Sequence, residues 1–523
     1  MHLKKTMSTF SLAMTGVTTM VGSGWLLATQ KIVNVAGPVG IFAWVIGMFV
    51  AMLVALFCIE IGTKHPSAGG IGYYSMITHG KFSGFITQWI NWLSIMPVPA
   101  IEAQAIVQYL SSSTTWCHTW YDSQSHTLTN IGIFYALLLM LFFMLVNYFG
   151  LKLFVRVNNI LTVIKFVVPV FTIGCLIYMG VHPSNFGNNM HEFAPFGFSS
   201  VATAVISCGV IMSFNGFQTP LNFSEEIQSP KTQLPIAIIG GILFTFVLYV
   251  GLQVVFIGAV DPQHLLNGWA RVNFSSPYVN LLIAANLQVM AWTVMATAAL
   301  APAACGAAFV ASSSRILFNL SRNKLMPEYM SKLDKHYSSP RHSIVINVIV
   351  SSCFLFFFKG WTQLVAVISV LHVFSYLSMP VVVLGYRNIP NHSTEKAFKL
   401  PFASLFAFAV LYILSILLFF AAWPSIGHLA VLCVPGLGFY LYYSLKNDDN
   451  FDHLLQSVKH GSWLILYLIC VCVICYLGNN QDTHQNLINQ TTSIVALGVV
   501  SLISLIFGVY LSKDYIRTLK NQE

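Results

Sequence analysis

Apolar residues in this chain come in long blocks separated by short polar stretches. Fourteen blocks stand out, covering about 10–33, 38–62, 82–111, 130–149, 157–180, 200–224, 234–259, 279–318, 343–359, 361–386, 402–423, 427–445, 462–478 and 493–512. A membrane-spanning α-helix needs about 20 mostly apolar residues. The pattern therefore predicts an all-α polytopic membrane protein with about fourteen transmembrane helices. The block at 279–318 exceeds one crossing and is expected to continue as a helix beyond the bilayer. The segments 112–129 and 181–199 read as polar external loops, and 64–81, with Pro66, Gly69, Gly70 and Gly72, as a cytoplasmic connection. Residues 319–342 form the most basic loop.

Composition sharpens this picture. The 523 residues are 56% hydrophobic and 8% charged, whereas a soluble protein carries about 25% charged residues. So few charges cannot cover a water-facing surface of this size, and no soluble domain is expected. The net charge of +9 invites a nucleic-acid reading, but the basic residues are spread over many short loops and none forms a basic, aromatic-studded face. With the N-terminus inside, only Lys31, Arg271 and Lys359 fall outside, and only Lys165 lies within a block; the rest of the 25 lysines and arginines fall inside. That bias matches cytoplasmic loops, and an even number of crossings puts both termini in the cytoplasm. Lys4 and Lys5 before an apolar stretch resemble a signal peptide, but the stretch continues to about Ile32 without a small-residue cleavage site, so it reads as a retained first helix. Of the ten cysteines, nearly all lie in apolar blocks. Only Cys117 falls in an expected external loop, so no structural disulfide is implied. Cys470, Cys472 and Cys475 have the look of a metal motif, but inside an apolar block cysteine acts as a small hydrophobe, and no metal or cofactor is expected.

Two blocks are interrupted. In the first, TGVTTMVGSGWLLA at 15–28 puts Gly22, Ser23 and Gly24 at mid-membrane; in the sixth, GVIMSFNGFQTPLNFSEE at 209–226 puts Asn215, Gly216, Gln218 and Pro220 there. Irregular backbone at that depth is tolerated only where it lines a cavity or is buried in protein. A half-helix N-terminus suits an anionic group, and unwound carbonyls suit a cation. Together the breaks suit a zwitterion. Five blocks separate them, as expected for two inverted five-helix repeats around a midplane site. The plainer reading is that the glycines only allow close helix packing.

VGSGW at 21–25 resembles the first-helix motif of the amino acid–polyamine–organocation superfamily. SFNGFQTPLNFSEEIQSPKTQLPIAI at 213–238 resembles its sixth helix and following loop, SRILFNLSRNKLMPEYM at 314–330 its segment after helix eight, and RVNNILTVIKF at 156–166 the start of its helix five. The resemblance covers about residues 10–390. Trp25 and IEAQAIVQY at 101–109 are most similar to the bacterial aspartate–proton symporter-like branch. The resemblance implies a leucine-transporter-type 5+5 inverted-repeat core over 1–390, followed by four additional helices over 391–523. It also implies a substrate carboxylate on the N–H groups of Gly22, Ser23 and Gly24. The ammonium would meet carbonyls near Thr19, Met20, Ser213 and Phe214, with Gly216 and Gln218 completing the site. Gln218 stands where the family often has an acidic residue. Met212, Phe214 and Phe217 are gate candidates.

Ionisable residues inside a membrane are functional suspects by default. Lys165 is roughly 13 Å into its block by helical rise, against a half-thickness of about 15 Å. Its side chain can snorkel about 6 Å. Proton-coupled members of the resembled family carry a lysine here, which implies proton coupling; the plainer reading is a lysine that snorkels inward because the block starts later. Glu102 either shapes substrate charge preference, relays protons or reaches the outer interface. His372, mid-block, either titrates or is hydrogen-bonded to a neighbour. Glu60 is expected to be solvated, and Glu225 and Glu226 either join an inner gate with arginines or are solvated. The whole predicts a secondary transporter of an amino acid in the bacterial inner membrane, working by proton symport and alternating access. An amino acid/amine antiporter and a non-transporting amino-acid sensor are the alternatives. A membrane enzyme is disfavoured because no clustered motif such as H-E-x-x-H is present. The expected partners are a small amino acid and membrane lipid, not nucleic acid; the oligomeric state stays open.

Overall fold

The computed structural model describes residues 7–67, 70–113, 117–149, 151–337, 339–389, 398–421, 423–447, 451–478 and 487–520. Lys4, Lys5 and Gly69, used above, lie outside them. In chain order the helices are α1 (Thr9–Met20), α2 (Gly24–Ala36), α3 (Ile41–Gly62), α4 (Gly70–Ile95), α5 (Val98–Ser113), α6 (Asn130–Tyr148), α7 (Leu151–Met179), α8 (Met190–Phe193), α9 (Ser199–Ser207), α10 (Val210–Phe214) and α11 (Thr219–Asn222). They continue with α12 (Pro230–Ala259), α13 (Pro277–Ala284), α14 (Gln288–Arg322), α15 (Arg341–Phe357), α16 (Trp361–Tyr376), α17 (Ser378–Tyr386), α18 (Ala403–Phe419), α19 (Trp423–Lys446), α20 (Phe451–Gly478) and α21 (Gln490–Lys520). One short hairpin, Tyr121–Asp122 against Thr127–Leu128, lies between α5 and α6.

The protein is thus an all-α, largely buried, polytopic bundle. A helix falls within each expected block. Among the described residues, nine segments are long and apolar enough to cross a membrane. Four of the five missing blocks have a physical cause; the fifth, at 427–445, lies in α19. The blocks at 10–33 and 200–224 are broken into short helices, while α15 and α18, with 17 residues each, are shorter apolar helices.

Local chemistry explains the boundaries. The Ser8 hydroxyl caps α1 by accepting the Ser11 N–H, and Thr129 caps α6 by accepting the Gly132 N–H. Proline opens α12 and α13, where a missing N–H costs nothing. Two expectations are corrected. The connection at 64–81 is helical from Gly70, and α4 turns at Gly80 (φ 85°, ψ 179°), a geometry glycine tolerates. The block at 279–318 is two helices, split at Ala285–Leu287. Cys117 lies in the segment between α5 and α6 and is buried there.

α14 packs against α5, α7 and α1, and α1 packs against α12. On α7, Val163, Val167, Val170 and Phe171 face outward at helical spacing, a stripe suited to lipid. Glu60 also departs from expectation. It is fully buried, accepts from Arg387 Nε at 2.8 Å and Nη2 at 2.7 Å, and takes the Leu400 N–H at 2.9 Å. A buried carboxylate persists only when paired and fully hydrogen-bonded, and this one ties α3 to the end of α17 and to the segment leading into α18.

The C-terminal helices grip the bend of α4. His79 Nε2 lies 3.0 Å from the Gly508 carbonyl, which can only accept, so Nε2 carries the proton. The Ser512 hydroxyl donates to the Thr78 carbonyl at 2.9 Å. At the loop before α15, the backbone N–H groups of Tyr337 and His336, together with Arg341, hold the Asp334 carboxyl below its usual range.

Candidate functional site

The chain between α1 and α2 never completes a helical turn. Val21 has ψ 79°, and Gly22 and Ser23 bend away before α2 begins. A broken helix leaves carbonyls orphaned on one side and N–H groups on the other. Here each is met by a different side chain. The Thr18 carbonyl accepts from Lys165 Nζ at 2.8 Å, the Thr19 carbonyl from the Cys305 thiol at 3.4 Å, and the Met20 carbonyl from the Tyr249 hydroxyl at 2.7 Å. Across the gap, the Ser23 N–H donates to Glu102 Oε2 at 2.8 Å. Helices α7, α14, α12 and α5 therefore each put one polar group on the break.

Lys165 is fully buried, so it does not snorkel to either surface. The Thr18 and Thr162 hydroxyls hydrogen-bond beside it, joining α1 to α7 a second time. Glu102 is equally buried, which rules out an outer-interface role. Its Oε1 makes no hydrogen bond and lies against Gly22, with the Cys305 thiol alongside. A methyl group on Gly22 would come within 2.2 Å of that oxygen, so glycine is what lets the carboxylate reach the break.

The second break lies alongside the first. Gly209 (φ 88°) starts α10, Asn215 leaves the helix at ψ 135°, and Gly216 (φ 118°) reverses the chain before Pro220 restarts it in α11. Gly24 packs on the Ser213 side chain, and Gly216 packs on Thr19. The Thr19 hydroxyl has one proton and three carbonyls within reach: Thr15 at 2.9 Å, Gly16 at 2.8 Å and Gly216 at 3.2 Å. Gln218 stays at its own break, donating to Asn215 Oδ1 at 2.7 Å. The Tyr376 hydroxyl reaches Asn215 Oδ1 and Gln218 Oε1, each at 3.2 Å. Asn215 Nδ2 makes no hydrogen bond.

His372 is fully buried, with the Ile368 carbonyl of the preceding turn beside its ring. Its ring lies 6.3 Å from that of Tyr376, which places it beside the second break. Of the gate candidates, Phe217 packs on Tyr376 at 5.3 Å, and Phe214 packs on Trp44 and Tyr249 at 6.2 and 6.1 Å. Met212 is buried next to them on α10.

Both ends of this centre are bounded. On the side of Met7, Glu226 is buried against Arg315 at 2.9 Å, Glu225 pairs with Arg322 at 3.1 Å, and the Met7 N–H donates to the Glu226 carbonyl at 3.1 Å. Glu226 is thus paired, not solvated. On the opposite side, Trp361 Nε1 donates to Ser23 Oγ at 3.1 Å. Sequence reasoning missed Tyr249, Cys305, Trp361 and Tyr376. Tyrosine and tryptophan inside an apolar block were the available signal, since their polar atoms need partners when buried.

Removing one partner of a buried ion pair costs about 3–5 kcal/mol, because the other charge is left unpaired. Arg315→Ala should therefore slow uptake at least about tenfold. The double variant Arg315→Ala/Glu226→Gln should recover part of the loss, and initial rates in vesicles would measure it; equal losses in the single and double variants would contradict the pairing.

A polytopic bundle in which two broken helices bring opposed helix ends together at its centre is the architecture of a membrane carrier. The family model described as amino acid permease matches residues 7–440, and the chain belongs to that family. It is 36% identical over 510 residues to the "Glutamate/serine transporter AimA" of Bacillus subtilis (strain 168), covering 97% of this chain and 94% of that protein. It is 29% identical over 482 residues to the "Aspartate-proton symporter" of the same organism, covering 91% of each. The "Methylthioribose transporter" of Bacillus subtilis is 23% identical over 412 residues, covering 76% of this chain and 85% of that protein. The chain is accordingly a membrane-embedded amino-acid transport protein and not an enzyme. Among the described residues no group of three or more His, Cys, Asp or Glu is placed to hold a metal ion.

Proposed function

We propose that this protein carries an amino acid inward across the bacterial inner membrane by proton-coupled symport. The core is a leucine-transporter-type pair of inverted five-helix repeats over 1–390, followed by four further helices over 391–523, making about fourteen crossings with both termini cytoplasmic. The observation that carries the proposal is the Lys165–Thr18 contact, with Glu102 on the Ser23 N–H of the same break. A buried ammonium needs a partner, and this one is held by a backbone carbonyl left without a helical partner because α1 stops there.

On this reading Lys165 carries the coupled proton. Protonated, it holds α1 to α7 through the Thr18 carbonyl, at the same break that Glu102 meets through the Ser23 N–H. Deprotonated by water from the cytoplasm, it loses the charge-assisted part of that contact, and α1 can move. The substrate carboxylate takes the N–H groups at Gly22, Ser23 and Gly24 in place of Glu102, and its ammonium meets carbonyls at Thr19, Met20, Ser213 and Phe214. The second break, shaped by Gly216 and Gln218, completes the site. Met212 and Phe217 cover the substrate, and His372 and Glu102 adjust its charge environment. Helices α1/α2 and α9–α11 rock together, opening the Glu226–Arg315 side as the Trp361 side closes. The names of two relatives, one a glutamate/serine transporter and one an aspartate–proton symporter, support an amino acid as substrate and a proton as driving ion.

The test is uptake of labelled aspartate, glutamate, serine and leucine into vesicles carrying the purified protein, with and without an inward proton gradient. Accumulation of at least one amino acid that collapses with the gradient is expected. Uptake that ignores the gradient and requires a preloaded amino acid or amine would overturn symport in favour of exchange.

A further inference from the structure

Beside the α1–α2 break, on the side away from Met7, lies a cavity of about 210 Å³. Trp361 lines it and hydrogen-bonds Ser23 at 3.1 Å, so this side chain touches both the cavity and the break. Lys31 enters it from α2, Gln108 from α5, His126 from the hairpin and Asn280 from α13. No carboxylate lines it among the described residues, and Lys31 has no ion-pair partner among them. Lys31 is half-buried, two turns along α2 from Ser23, about 12 Å by the helical rise.

A cavity with low-dielectric walls and one sign of charge concentrates ligands of the opposite sign. This one holds an unpaired cation, an imidazole and amide donors, and it offers no carboxylate to a ligand's ammonium. A neutral zwitterion therefore gains little there, whereas a dicarboxylic amino acid brings a net negative charge. We propose that the cavity is a capture site for acidic amino acids, in which Lys31 pairs with the side-chain carboxylate before the substrate passes Trp361. The proposal rests on the transport reading above and adds a residue that selects among substrates outside the central site.

The test compares KM and maximal rate for aspartate, glutamate and serine in vesicles carrying wild type, Lys31→Gln or Lys31→Arg. Lys31→Gln should raise KM for both acids at least about tenfold, the effect of removing one partner of a desolvated charge pair. Serine should change less than about twofold, and maximal rates should hold. Lys31→Arg should restore the acids, and high salt should narrow the difference. An equal change for all three substrates, or none, would overturn the proposal. A wild type that carries serine but neither acid would overturn it while leaving the transport reading intact. A wild type that carries no amino acid would overturn both. A second measurement needs no variant: aspartate should slow acylation of Lys31 by an amine-reactive reagent, and serine should not. Equal labelling rates with either amino acid would also overturn the proposal.

Discussion

Lys165→Ala should abolish gradient-driven accumulation, lowering it by at least about a hundredfold, while the protein still inserts and purifies. The magnitude follows from the surroundings. Lys165 is fully buried and donates to the Thr18 carbonyl at 2.8 Å. Alanine leaves that carbonyl without a partner and leaves the buried Glu102 carboxylate without its nearby cation. Losing one member of a buried charged arrangement costs about 3–5 kcal/mol, and every 1.4 kcal/mol is a factor of ten. Lys165→Arg should not rescue. A guanidinium stays protonated and cannot hand over a proton, so it should bind substrate without coupling. Radiolabelled uptake with and without the gradient, beside a direct binding measurement, separates the two failures.

Gly216→Ala should be nearly as damaging, for a different reason. Gly216 sits at φ 118°, and a methyl group there would lie 2.5 Å from the Thr19 hydroxyl and 2.8 Å from the Thr19 carbonyl carbon. Strain in that backbone region costs about 1–3 kcal/mol, and overpacking costs a similar amount. Thr19 belongs to the other break, so the methyl group forces the two half-helices apart. A fall in binding affinity and uptake of at least about thirtyfold is expected from these sums. Gly174, which has open space around it, is the control: Gly174→Ala should behave as wild type. Equal activity of both glycine variants would show that the contact between the breaks is dispensable.

Much of this was legible in the chain. Glycine–serine–glycine inside an apolar block marked the first break, and Asn215, Gly216 and Pro220 marked the second, because residues that weaken a helix are conspicuous where water cannot compensate. Lys165 and Glu102 stood out as charges within apolar blocks. Legibility ended where partners come from far along the sequence. Nothing local says that Tyr249 caps Met20, that Cys305 reaches Thr19, or that Trp361 closes on Ser23. Those contacts depend on how α12, α14 and α16 cross the break. Glu60 was misread for the same reason, since its partner Arg387 is more than three hundred residues away. The split before α14 was hidden by hydropathy, which continues across it, and the bend of α4 at Gly80 fell in a polar segment that reads as a connection.

The central claim is that substrate and proton cross together through Lys165. The direct measurement is internal acidification of vesicles, read by a trapped pH-sensitive dye, when the transported amino acid is added outside without an imposed gradient. Acidification that follows substrate uptake in the wild type and vanishes in Lys165→Ala is the predicted result. Substrate uptake in the wild type with no change in internal pH, or acidification that survives in Lys165→Ala, would contradict it.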